Sequence, residues 1–171
     1  CQVLADLFTI QEHYGSLEDV KLVFVGDGSS NMGSSLILGA KLAGLNMVVA
    51  APEEFRPRQD LMDLDFGTGT VSWEIDPGKA AAGADFIYTD VWVSMGCEEE
   101  KARRLEVLKP YQVNSELVAQ AGEKVKILHC LPAHRGEEIT DAVMDSPMSI
   151  VFDEAENRLH VQKAVMSLLI K

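Results

Sequence analysis

Three polar segments of this 171-residue chain carry residue types that could hold a small charged ligand. Residues 26–35, GDGSSNMGSS, stand between a strand-like run and a helix-like run. Backbone N–H groups in such a turn, with the dipole of the following helix, can hold a carboxylate or a phosphate. Turn and cap duty alone accounts for the same Gly and Ser residues. A dinucleotide fingerprint, G-x-G-x-x-G, would need glycine where Asn31 stands, which argues against a nicotinamide or flavin cofactor. Residues 90–96, DVWVSMG, follow the run DFIYT. Asp90 can accept from a ligand ammonium while Ser94 and the amides after it donate to a ligand carboxylate, which together make an amino-acid clamp. A helix cap at Asp90 with Gly96 as a hinge is the alternative, and Gly96 with the charged run behind it would suit a mobile lid.

Residues 129–136, HCLPAHRG, carry the sharpest chemistry. Cys130 as a nucleophile activated by His129 is disfavoured, because adjacent residues leaving a strand point in opposite directions. Zinc held by His129, Cys130 and His134 lacks a fourth spaced ligand. What remains is a main-chain role: Pro132 rigidifies the turn so that the carbonyls of Cys130 and Leu131 can face a ligand amide. A buried Cys130 serving as a small core residue is the alternative. Arg158 is expected in the first turn of the last helix, where a cation opposes the dipole, so an anionic ligand is one reason for it and an i,i+4 pair with Glu154 another. His13 and His160 read as surface or cap residues.

The elements that must position these groups are short. Apolar spacing predicts a helix over 3–14 ending at Gly15, a strand over 20–25, a helix over 31–45, a strand over 46–51, a short helix around 59–64 and a strand over 71–75. A proline-opened turn of helix at 77–83, a strand at 85–89, a charged helix at 98–108, a helix from Asn114, and a strand at 125–128 follow. A short strand near 150–152 would precede a final helix with Asp153, Glu154 and Glu156 in its first turn. Buried-type strands alternating with helices indicate an α/β fold: a three-layer, doubly wound parallel β-sheet with helices on both faces, Rossmann-like. All three polar segments then fall at carboxyl ends of strands, where such sheets bind ligands.

With 47% apolar and 25% charged residues the chain suits one domain over 1–171. A formal charge of −12 disfavours nucleic acid and anionic membrane as partners. No apolar run approaches the roughly 20 residues of a membrane span, and no export signal is visible. Cys1, Cys97 and Cys130 form neither a C-x-x-C pair nor an even set, which points to a reducing cytoplasm. A start at Cys1, running directly into an amphipathic stretch, looks like a chain cut upstream of a helix.

Taken together, GDGSSNMGSS, DVWVSMG, HCLPAHRGEEIT and FDEAENRLHVQKAV, with Cys1-Gln2 matching the end of an H-P-x-Q motif, resemble the C-terminal domain of the ornithine carbamoyltransferases over essentially the whole chain. The aspartate branch of that superfamily shares the architecture but would not be expected to show the SMG clamp. The resemblance implies that Asn31, Asp90, Ser94 and Met95 hold the α-amino and α-carboxylate groups of ornithine. It implies that Gln2 and the carbonyls of Cys130 and Leu131 grip the carbamoyl amide. Arg158 would approach the carbamoyl or phosphate oxygens, and Cys130 beside Asp90 would help bind the reacting amine. The implied reaction passes the carbamoyl group of carbamoyl phosphate to ornithine, giving citrulline and phosphate in arginine metabolism, with no cofactor and no metal.

Ser30 stands where many relatives have a second Asn. The family's S-x-R-T-R phosphate loop and the histidine of H-P-x-Q are absent, and these stabilise developing charge, so the chain alone is expected to be inactive without an N-terminal carbamoyl-phosphate domain. The resemblance further implies a homotrimer for the full enzyme and a final helix, 153–171, packed on the other domain. Loss of that cover from Leu159, Val165, Met166 and Leu169 would favour self-association. Competing expectations are a carbamoyltransferase acting on putrescine or a modified ornithine, and a non-catalytic amino-acid-binding domain; a nucleotide-binding dehydrogenase domain ranks behind both.

Overall fold

The computed structural model describes residues 1–93 and 98–170. Helix α1 (Gln2–Tyr14) leads to β1 (Lys21–Val25), α2 (Asn31–Ala43), β2 (Asn46–Ala50), α3 (Gln59–Met62), β3 (Thr70–Glu74), α4 (Pro77–Ala81) and β4 (Phe86–Thr89). Then come α5 (Lys101–Leu108), α6 (Ser115–Val118), β5 (Lys126–His129), α7 (Asp141–Met144) and α8 (Val151–Leu169). The strands form one parallel sheet in the order β3-β2-β1-β4-β5.

Side chains alternate across each strand, and both faces are apolar because both are covered. Val23, Val25, Ile87 and Ile127 enter one core with Ala80 and Ala81 of α4, Leu117 and Val118 of α6, and Val143 of α7. Leu22, Phe24, Phe86, Tyr88 and Leu128 enter the other with Ile10 of α1 and Leu36, Ile37 and Ala40 of α2. Helix α8 lies along α1 and meets β5. Helices α1 and α2 stop where Gly15 and Gly44 turn the chain with φ of 89° and 81°, a region that side chains with a Cβ rarely adopt.

Register brings the three predicted loops together. Val25 pairs with Ala50 on one side and Thr89 on the other, and Thr89 pairs with His129. Strands β1, β4 and β5 therefore end in step, about 5 Å apart from neighbour to neighbour. The winding reverses between β1 and β4, which makes this the switch point where doubly wound sheets bind ligands.

Three sequence expectations need correction. No strand forms at 150–152: only Ser149 bridges Ile127, and α8 begins at Val151, whose buried side chain closes the core instead of extending the sheet. Arg158 consequently sits about two turns into α8 and not in its first turn, so the dipole argument for it falls away. The charged helix also starts later, a 3-10 turn at Glu98–Glu100 preceding α5. Among the described residues no helix is long and apolar enough to cross a membrane.

Candidate functional site

The loop after β1 is built by close backbone contact. Thr89 Oγ1 donates to the Val25 carbonyl at 2.8 Å, joining the tips of β4 and β1. Gly26 has φ +135°, and a Cβ there would lie 3.3 Å from Trp92 Nε1. A Cβ on Gly28 would meet Val49 Cγ1 at 2.7 Å, and one on Gly33 the Gly28 carbonyl at 2.8 Å, so the turn and the start of α2 require these glycines. Ser30 caps α2 by accepting from the Gly33 N–H at 3.0 Å. Asn31, the first residue of α2, is exposed at the positive end of the helix dipole.

A tie that the sequence did not disclose holds this loop to the segment after β4. Asp27 Oδ2 accepts from Arg104 Nη1 at 2.8 Å, and the same nitrogen lies 3.3 Å from the Trp92 carbonyl. The Asp27 and Arg104 side chains are 9% and 13% exposed, and the guanidinium stacks 4.9 Å from the Phe55 ring centre. Asp27 Oδ1 meanwhile accepts from the Ser29 N–H and hydroxyl at 3.0 and 2.6 Å. Arg104 reads as one charge among several in a helix, 77 residues from its partner.

Asp90 and Cys130 meet across the tips of β4 and β5. The thiol donates to Asp90 Oδ1 at 3.1 Å, and the same oxygen accepts from the Val91 N–H at 2.7 Å. Burial, and then the Asp90 carboxyl beside it, push the Cys130 thiol far above its usual range. Cys130 therefore stays a thiol and a hydrogen-bond donor, not a thiolate nucleophile. His129 points away from it: Nε2 faces Glu138 Oε1 at 3.1 Å, and Nδ1 accepts from the Leu131 N–H at 2.9 Å. Asp90, His129 and Cys130 each bring one ligand-type atom within 4.8 Å of the others. Both imidazole nitrogens are engaged inside the fold, however, so the trio is a thiol–carboxyl contact beside a structural histidine. Past Cys130 the chain turns sharply, with Leu131 at φ +53° and a cis Leu131–Pro132 bond.

Gln2 and Arg158 come together behind this pair. Gln2 Nε2 donates to Asp6 Oδ1 at 2.8 Å and to Glu154 Oε1 at 3.2 Å, while Gln2 Oε1 accepts from Arg158 Nη1 at 2.6 Å. Glu154 Oε2 accepts the His129 backbone N–H at 2.8 Å, linking this cluster to the tip of β5. Both Glu154 oxygens are thus occupied by groups other than Arg158, which donates instead to Gln2 and, with the Gln162 amide turned to satisfy it, to the Gln162 side-chain oxygen at 3.0 and 3.1 Å. Burial raises the Asp6 carboxyl to about 6 and the Glu154 carboxyl well above the usual range, with the neighbouring Asp6 adding to the latter. Asp6 and Glu154 looked like ordinary helix positions, because Gln2 and Glu154 lie 152 residues apart. His13 pairs with Asp153 at 2.9 Å and His160 with Glu156 at 3.3 Å, both toward solvent.

The structure thus brings Asp90 to Cys130 and Gln2 to Arg158, with Asn31 on the adjoining loop and Leu131 directly after Cys130. Ser94 and Met95, together with Gly96, lie outside the described residues.

Residues 18–169 match the family model described as aspartate/ornithine carbamoyltransferase, Asp/Orn binding domain. An ornithine carbamoyltransferase of Methanoculleus marisnigri is 51% identical across 99% of this chain and 55% of its own length. A solved ornithine carbamoyltransferase from Pyrococcus furiosus superposes with a TM-score of 0.93 at 48% identity, over 99% of this chain and 56% of its own. One from Thermus thermophilus gives 0.88 at 42%, over 99% and 55%. The chain therefore spans little more than half the length of the relatives it matches. Fold, strand-tip geometry and whole-chain similarity agree, and the chain belongs to the aspartate/ornithine carbamoyltransferase family, where it corresponds to the Asp/Orn binding domain.

Proposed function

We propose that this chain is the ornithine-binding domain of an ornithine carbamoyltransferase and acts with a carbamoyl-phosphate-binding domain to form citrulline and phosphate. The observation that carries this reading is the Cys130–Asp90 contact of 3.1 Å across the tips of β4 and β5, next to the switch point between β1 and β4 and the helix start bearing Asn31. Asn31, Asp90, Ser94 and Met95 would hold the α-amino and α-carboxylate groups of ornithine. Fixing one end of the substrate aims its far amine at the carbamoyl carbon, and orientation of this kind is worth several kcal/mol of barrier. Gln2 and the main-chain carbonyls of Cys130 and Leu131 would accept from the carbamoyl amide, and Arg158 would approach the carbamoyl or phosphate oxygens. The neutral amine attacks, the tetrahedral centre collapses, and phosphate leaves.

Between α1 and α8 runs an apolar groove of about 350 Å³ lined by Leu4, Phe8, Val161, Ala164, Val165 and Leu168. Leu159, Met166 and Leu169 of α8 are also more than half exposed. These surfaces suit burial against the second domain. For the complete enzyme the family resemblance further implies a cytoplasmic homotrimer serving arginine biosynthesis. The test is citrulline formation by the complete protein, carbamoyl-phosphate domain included, with ornithine and putrescine compared. Ornithine is expected to be the better substrate and the chain by itself inactive. Preference for putrescine would replace the assignment with the competing amine, and activity of the chain alone would contradict the need for a second domain.

A further inference from the structure

We propose that Asp6 and Glu154 are a positioning pair, two buried carboxyls that hold a single proton between them and thereby fix Gln2 and Arg158 for the carbamoyl phosphate end of the reaction. The inference rests on the carbamoyltransferase reading above and deepens it. Both residues are 0% exposed, one on α1 and one on α8. One amide nitrogen, Gln2 Nε2, reaches both carboxyls, at 2.8 and 3.2 Å. Two ionised carboxylates that close in apolar surroundings repel strongly, and one retained proton removes the conflict.

Hydrogen-bond accounting is compatible with that state. Gln2 serves Asp6 Oδ1 and Glu154 Oε1, and the His129 N–H serves Glu154 Oε2. Asp6 Oδ2 and the Tyr88 hydroxyl are both left buried without a partner, so the Tyr88 O–H and a proton on the pair are the two donors available to that oxygen. The groups facing the carboxyls are Gln2 from α1, Arg158 from α8, the Tyr88 hydroxyl from β4, and the His129 amide and Cys130 thiol at the end of β5. Among these described groups Arg158 is the cation, so a pair carrying one negative charge is balanced and a doubly ionised pair is not. The upward displacement of both carboxyls is consistent with that count, and the two titrate as a unit.

The consequence for chemistry lies in Gln2. Because its Nε2 is held by two acceptors, its Oε1 must face the other way, where Arg158 Nη1 meets it at 2.6 Å. An outward carbonyl is the end that can accept from a carbamoyl NH2 group; a flipped amide would present a donor to a donor. The pair thus fixes the polarity of Gln2 and, through Gln2 and together with Gln162, holds Arg158 in place without touching substrate.

The test uses the complete protein and two readouts. Infrared spectra at neutral pH should contain the carbonyl stretch of a protonated carboxylic acid, and Asp6→Asn/Glu154→Gln should remove it. In kinetics, Asp6→Ala should raise the carbamoyl phosphate KM roughly 10- to 100-fold while moving the ornithine KM far less. Asp6→Asn, whose amide keeps an acceptor for Gln2 and places a donor where Oδ2 stands, should recover most of that loss. A wild-type spectrum without the band, or one unchanged in the double variant, would overturn the shared proton whatever the activity. Equal rises in both KM values, or no recovery by Asn, would overturn the positioning role. A complete wild-type protein that makes no citrulline would overturn the carbamoyltransferase reading and the positioning role with it, whereas the infrared band decides the shared proton independently.

Discussion

Cys130 shows how environment decides what a residue can do. Its thiol is half-enclosed, donates to Asp90 and is held far above the usual thiol range, so it lacks the thiolate on which cysteine nucleophiles depend. Alkylation by iodoacetamide at neutral pH should therefore be at least roughly tenfold slower at Cys130 than at the exposed Cys1, read site by site by mass spectrometry. Comparable rates would show an accessible thiolate and contradict the assignment. Asp90→Asn keeps the shape but removes the charge facing an ammonium, and should raise the ornithine KM of the complete protein by about tenfold or more, with a smaller change for carbamoyl phosphate. Asp90 and Cys130 were legible because each sits directly after a strand in a run of unusual polar residues. Asp6 and Glu154 were not legible, because a carboxylate on an amphipathic helix looks solvated until the opposing helix is known.

Among the elements, the strand-to-helix turn after β1 depends on contacts from distant segments. Arg104→Met would leave Asp27 charged, largely buried and without its ion partner, and should lower the unfolding free energy by roughly 3 kcal/mol. Ser30→Ala removes only the cap of α2 and should cost about 1 kcal/mol. Chemical denaturation midpoints distinguish the two, and a loss at Arg104 no larger than at Ser30 would mean that the ion pair contributes little. The five strands were legible from β-branched apolar runs, and α2 from its cap and spacing. Residues 150–152, Ile-Val-Phe, misled for a physical reason: such a run suits either a buried strand or the buried start of a helix. What decided it was the edge of β5, which pairs with Ser149 alone before the chain turns into α8.

The molecule as a whole couples its termini to its sheet. Helices α1 and α8, from opposite ends of the chain, pack together around Asp6, Thr9, Glu154 and Asn157, all buried and polar. The folded Asp6 carboxyl is raised from 3.8 to about 6, so it binds its proton more tightly folded than unfolded. Its stabilising contribution is full below about pH 4 and is lost as pH rises through about 6, and Glu154, raised further, extends that loss to higher pH. Asp6→Asn/Glu154→Gln should flatten this part of the stability profile relative to wild type, as measured by denaturation midpoints across the interval. Unchanged slopes would show that the buried carboxyls do not control it. The parallel sheet and its loaded strand tips were visible in the sequence; the polar seam between α1 and α8 required the fold, because it joins residues nearly the whole chain apart.

On the proposed function, the loops after β1, β4 and β5 form one seat for ornithine. A crystal structure of the complete protein with L-ornithine and an unreactive carbamoyl phosphate analogue tests it most directly. The expected result is a ligand whose carboxylate bonds Asn31 and whose ammonium group bonds Asp90, with its far amine directed toward Cys130. Ornithine bound away from the ends of β1, β4 and β5, or contacting one of these loops alone, would contradict the account.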